Sequence, residues 1–210
     1  NVSKMASLMV YQPINNEVGK NDHIQGVSVQ LISSSDATTS NPTFNKVRLI
    51  RTSDNPFVHP YEGSTDADEL EKLQRYENQR NRFGARQLQL WMNKNGETVN
   101  ILHNVLGHST SVGMPNYLPE IATNGFISDT YGYLQHHQAT IGDSITFDVP
   151  QQNFTDIATF VYYNSYLDND FWGANLTQNA MGVSFQLLNN DEVLYTKEID
   201  EPSYYYRFDG

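Results

Sequence analysis

Cysteine is absent from the 210 residues. That excludes a disulfide framework and a thiolate metal site, and it leaves the compartment open, because large secreted folds can also lack bridges. No apolar run approaches the ~20 residues that a membrane span requires, so no membrane insertion is expected. No secretory leader opens the sequence either. The first residue, Asn1, is not an initiator, so a missing leader carries no information on secretion. Basic residues are few: 13 Lys+Arg stand against 24 Asp+Glu, a formal net charge of −11. A nucleic-acid partner needs a basic surface to release counterions from phosphates, and this balance argues against one. Charged residues of both signs reach only 18%, while 13 Tyr accompany abundant Asn, Gln, Ser and Thr. Such a composition leans toward extracellular, virion or carbohydrate-facing β-proteins.

What the sequence does have is period-two alternation. Ser144 to Val149 places Ile145, Phe147 and Val149 on one face and Thr146 and Asp148 on the other, the pattern of a half-buried antiparallel strand. Ile157 to Tyr163 is apolar or aromatic on both faces apart from Thr159, which predicts a central strand covered twice. Met181 to Leu187 and Val193 to Ile199 alternate around the polar break Asn189 to Glu192 and read as a hairpin with a longer loop. Earlier in the chain, Leu8 to Gln12 before Pro13 suggests an edge strand. Val27, Val29 and Leu31 predict one inward face, and Val47 and Leu49 a second, with Lys46 and Arg48 outward. Leu88, Leu90 and Met92 predict a third, with Trp91 opposite. Asn95-Gly96 then supplies the positive φ of a tight hairpin that Thr98 to His103 closes, Val99 and Ile101 inward.

One helix is expected over about 65–80. Thr65 can cap it with Asp68 as the paired acid, Leu70, Leu73 and Tyr76 form a thin stripe, and Glu71 can pair with Arg75. It reads as an excursion lying against the sheets. The stretch 107–138 has no sustained period and is expected to be a long loop, folded rather than floppy because of its aromatics. A chain of this length usually forms one such domain. The elements together predict an all-β fold, a two-layer antiparallel β-sandwich spanning residues 1–210.

The back half, Gln87 to Ile199, resembles the TerD family of tellurium-resistance and stress proteins. The residues that carry the likeness are the run Leu88 to Val99, the acidic-headed strand Gly142-Asp143 to Val149, and the strand Phe154 to Val161. Phe171-Trp172-Gly173 and Asn179-Ala180 follow, ahead of the alternating run Met181 to Ile199. The resemblance implies a calcium-binding β-sandwich and a cytoplasmic location. Its calcium site would rest on aspartates just before the first of these strands, where this chain has Asn81 to Arg86 with two arginines and no carboxylate. Of the second acidic cluster only Gly142-Asp143 is present, short of the six to eight oxygens that Ca²⁺ takes.

Read residue by residue, the best cation candidate is Asp168, Asn169 and Asp170 with Asp143, supported by Asn164 and Asn175, since alternating oxygen side chains on a loop can converge on Ca²⁺. The competing reading is ordinary turn chemistry, in which Asp and Asn satisfy their own backbone. His103 with His108, or His136 with His137, beside Asp129 or Asp143, form a weaker imidazole candidate, because adjacent residues on a strand face opposite ways. No Gly-x-Ser-x-Gly elbow occurs, and no enzyme is expected. Trp172, Trp91, Tyr131, Tyr133 and Tyr117 lie on outward strand positions or in polar loops and are candidates for a glycan or protein contact. Tyr204 to Phe208 reads either as a last strand or as a tail for assembly contacts. Three Asn-x-Ser/Thr triplets, at Asn1, Asn153 and Asn175, match what an Asn-rich chain produces by chance. The expected function is a non-enzymatic, TerD-like binding or assembly module with Ca²⁺ as its candidate cofactor. The alternative is an extracellular or virion surface protein whose aromatic loops bind carbohydrate or neighbouring subunits.

Overall fold

The computed structural model describes residues 26–30, 42–110, 119–127, 133–134, 140–164, 180–203 and 205–209; the side chains of 26–30, 133–134 and 209 lie outside that description. In chain order the elements are β1 (Gly26–Gln30), β2 (Thr43–Arg51), α1 (Ala67–Glu77), β3 (Gly84–Lys94), β4 (Glu97–Asn100) and β5 (Gly107–Ser109). A 3-10 turn (Pro119–Thr123) follows, then β6 (Tyr133–Leu134), β7 (Ser144–Asn153), β8 (Ile157–Asn164), β9 (Val183–Asn189), β10 (Glu192–Glu198) and β11 (Tyr205–Asp209). The strands make two sheets. One has the order β1-β11-β8-β3-β4, with β6 also on β3; the other has the order β10-β9-β2-β7-β5. This is the expected all-β sandwich.

The alternation seen in the sequence becomes the core. Val47, Leu49, Ile145, Phe147, Val149, Val183, Phe185 and Leu187 from the five-stranded sheet meet Leu88, Leu90, Met92, Phe160, Tyr162, Tyr206 and Phe208 from the other. Phe160 and Phe185 stack across the interface with ring centroids 4.0 Å apart, and Phe208 joins them. Burial of each such ring contributes roughly 2–3 kcal/mol. The strand β8 sits between β11 and β3, and every residue in it except Ala158 is buried, as its two apolar faces predict.

Several expectations change at the boundaries. The helix begins one residue after Asp66, not at Thr65: Asp66 Oδ1 accepts from Asp68 N at 3.0 Å and Glu69 N at 3.1 Å, because the shorter acid sits where a cap must reach back to free amides. The helix ends at Glu77 rather than near 80. The side chain of Tyr76 does not lie on the sheets. It packs against Phe57 and His59 and beneath Arg80, so the helix closes over the connection that follows β2. The stretch 107–138 is not wholly irregular, since it holds β5, the 3-10 turn and β6. β4 ends at Asn100, and Val99, although opposite Met92, is exposed because β4 is a sheet edge. The β9–β10 loop is a two-residue turn at Asn190-Asp191, with Asn190 at φ 54°, where a longer loop was expected. The predicted strand around Leu8 and the residues Leu31 and Ile32 lie outside the described residues.

The C-terminal aromatics are a strand rather than a tail. The backbone of β11 bonds antiparallel to β8 and parallel to β1, the only parallel pair among the described strands. The Tyr206 hydroxyl accepts from Ser203 N at 2.8 Å and donates to Glu201 O at 2.7 Å. Burial raises the Tyr206 phenol above its ordinary range, and burial likewise pushes Tyr76 up to about 12. The stability that both neutral phenols confer is therefore complete below pH 10 and is lost as pH rises toward and beyond 12. Tyr206→Phe is expected to cost about 1–2 kcal/mol at pH 7 in urea denaturation, through two lost hydrogen bonds. The same variant should show a shallower decline above pH 10 than the native chain.

Candidate binding face and its surroundings

The outer face of the six-stranded sheet, turned away from the core, is where the aromatic candidates can be placed. Register puts Tyr205, Tyr163 and Gln87 in one row across β11, β8 and β3, and Arg207, Val161 and Gln89 in the next. Val161, Tyr163 and Tyr205 form a second buried cluster, against which Trp91 and Ile127 pack. The Tyr163 and Tyr205 rings lie 5.0 Å apart at 54°. Trp91 is half-buried, and its Nε1 donates to Gln89 Oε1 at 3.0 Å. The period-two reading placed Trp91 on this face correctly, but its ring leans on the cluster instead of standing free in solvent.

A second aromatic escaped the sequence reading. Asn124 Oδ1 accepts from Phe126 N at 2.8 Å, and Gly125 takes φ 85°, so a tight turn of Asn-Gly chemistry holds Phe126 outward at 53% exposure. The next residue, Ile127, packs inward on the second cluster. The turn is thus anchored on one side and presents an apolar ring on the other. Its signal in the sequence was the Asn-Gly pair before an aromatic, lost inside a stretch without periodicity.

The cation candidates fare differently. Asp143 Oδ2 accepts from Thr140 N at 2.7 Å, and Oδ1 accepts from Thr110 Oγ1 at 3.2 Å. The carboxylate thereby closes the turn into β7 and ties it to the segment after β5. Asn164 is fully buried: its Nδ2 donates to Ser203 O at 3.0 Å, its Oδ1 faces the Tyr162 hydroxyl at 3.2 Å, and its backbone oxygen accepts from Arg86 Nε at 2.8 Å. Asp168, Asn169, Asp170, Asn175, Trp172, Tyr131 and Tyr117 lie outside the described residues, and Tyr133 is placed only as backbone in β6. Among the described residues no group of three or more His, Asp or Glu side chains is positioned to hold a metal. His108 faces Asp148 at 3.6 Å on the open surface of β5, and His103 meets Asn104 at 3.2 Å.

Comparison with family models, with curated proteins and with solved structures found no match.

The arginines at the start of β3, Arg82 just before it and Arg86 within it, stand where the resemblance calls for aspartates and are part of the scaffold. Arg82 and Arg86 are buried, as is Arg51 at the end of β2. Arg51 donates from Nε to Asn81 O at 3.0 Å, from Nη1 to Met181 O and from Nη2 to Arg82 O at 3.5 Å, while its guanidinium sits 5.9 Å over the Phe83 ring. Burial lowers its pKa to about 10, which still leaves it charged at neutral pH. Its own backbone pairs with Asp143 O and Gly142 N, so one residue joins four segments.

Asp143→Ala is expected to destabilise by about 1–2 kcal/mol through its lost turn contacts. Chemical denaturation should give the same loss with and without added Ca²⁺; a loss seen only with Ca²⁺ would make the carboxylate a metal ligand.

Proposed function

We propose that this chain is a non-enzymatic β-sandwich binding module that meets its partner, carbohydrate or a neighbouring protein subunit, through aromatic side chains at the outer face of the six-stranded sheet. The observation that carries this is Phe126, turned outward on a turn closed by Asn124 Oδ1 and anchored by Ile127 on the Val161, Tyr163 and Tyr205 cluster. A preorganised exposed ring loses little freedom on binding, which suits a contact residue. Trp91 and Gln89 extend the same surface with a half-buried ring and an amide. Aromatic faces beside amides suit both sugar and protein surfaces, and the acidic balance of 24 Asp+Glu against 13 Lys+Arg disfavours nucleic acid.

Phe126→Ser should leave the unfolding free energy within about 0.5 kcal/mol of the native value, because the ring is exposed. It should also abolish retention on a glycan array or the rapid, dilution-reversible self-association of the folded chain, whichever the native chain shows. Unchanged binding in that variant would remove Phe126 from the contact.

A TerD-like, calcium-binding reading is favoured by one specific observation, the order of motif-bearing strands from β3 through β10. It predicts that the midpoint of a thermal melt rises by several degrees in millimolar Ca²⁺, since a ligand bound only by the native state stabilises it. An unchanged midpoint would leave the aromatic contact as the functional reading.

A further inference from the structure

The edges of the two sheets are not alike. In the five-stranded sheet, β10 carries Glu192, Lys197 and Glu198 and is bent by a bulge between Val193 and Tyr195, while β5 is only three residues long. Charge, a bulge and short length are devices that keep a strand edge from pairing with another chain. The six-stranded sheet ends instead in β1, whose sequence Gly26-Val-Ser-Val-Gln30 carries no charge, and β1 covers β11. The Tyr206 and Phe208 side chains of β11 belong to the main core and its Tyr205 to the outer cluster, with Arg207 on that same outer face. On the side away from β8 its backbone groups are met by β1, which bonds to no other described strand and runs parallel, from Gly26↔Tyr205 to Gln30↔Asp209.

The next strand, β2, belongs to the opposite sheet, and residues 31–42 separate the two. Twelve residues can span up to about 40 Å, well beyond the roughly 10 Å between packed sheets. The β1–β11 ladder is made of backbone hydrogen bonds that any copy of the same strand forms equally well.

We propose that β1 is an exchangeable strand: Gly26–Gln30 of one copy docks parallel on β11 of a second copy and joins the two at this edge. Exchange keeps every native contact and changes only which chain supplies the strand. A chain's own strand is present at an effective concentration of about millimolar, so exchange requires crowded copies or folding at high concentration. This surface is separate from the Phe126 turn, and failure of either proposal leaves the other intact.

The absence of native cysteine makes the test clean. Ser28 and Arg207 are register partners. A chain with Ser28→Cys alone and one with Arg207→Cys alone, differently tagged, are refolded together at low and high concentration and oxidised. The expected result is a disulfide-linked mixed dimer at high concentration, at least fivefold above a control pairing Ser28→Cys with Glu198→Cys. A mixed-dimer yield at the control level at every concentration would overturn the proposal. The double variant Ser28→Cys, Arg207→Cys checks the register: an intrachain disulfide at low concentration is expected, and failure to form any disulfide would also overturn it. The unmodified chain guards against folding defects in the variants. Refolded at high concentration, it should give dimers or larger species that persist on dilution, and a strictly monomeric product would count against exchange.

Discussion

The contact between Phe160 on β8 and Phe185 on β9 is the constraint on which the architecture turns. The two rings stack 4.0 Å apart across the sandwich, with Phe208 of β11 completing the group. Each side chain lies on a strand whose neighbours are fixed by register: β8 by β3 and β11, β9 by β2 and β10. A slip of one residue in any of these pairs would turn a ring from the core to the other face. The same registers set the rows of the outer face, where Tyr163, Tyr205 and Gln87 align. The arrangement of this outer face is thus a by-product of the core, dictated by packing on the opposite side of the sheet.

The distribution of cations explains a second feature. A chain with few basic residues buries Arg51, Arg82 and Arg86. Arg51 donates to the main-chain carbonyls of Asn81, Met181 and Arg82, and Asp54 and Glu198 add Coulombic support, which together offset the cost of burying its charge. With these arginines withdrawn from the surface, what the molecule shows to its surroundings is more acidic than its composition alone implies. The long-range field then favours cations and repels phosphates.

Hydrogen bonding also decides which candidate residues remain available. Asp143 and Asn164 are oxygen donors of the right kind for a hard cation, yet the fold commits both, one to a turn and the other to a buried network. Residue type announced a chemistry, and neighbours far along the chain redirected it. Phe126 shows the converse: its only mark in the sequence was the Asn-Gly pair before it, and one hydrogen bond that its backbone N–H donates to Asn124 Oδ1 sets its outward position.

By itself the sequence determined the class of fold and most inward faces, because alternation of apolar and polar residues is a local property that a strand must satisfy wherever it ends up. Ile145, Phe147, Leu88, Leu90 and Phe185 could be assigned inward on that ground alone. Only the tertiary structure decided which strands lie side by side, that β11 pairs with β1 from the other end of the chain, and that Trp91 rests on a second cluster rather than in open water. Those outcomes depend on backbone partners separated by tens of residues and, for β1 with β11 and β2 with β9, by well over a hundred, and a backbone hydrogen bond leaves no mark on the identity of the residues that make it.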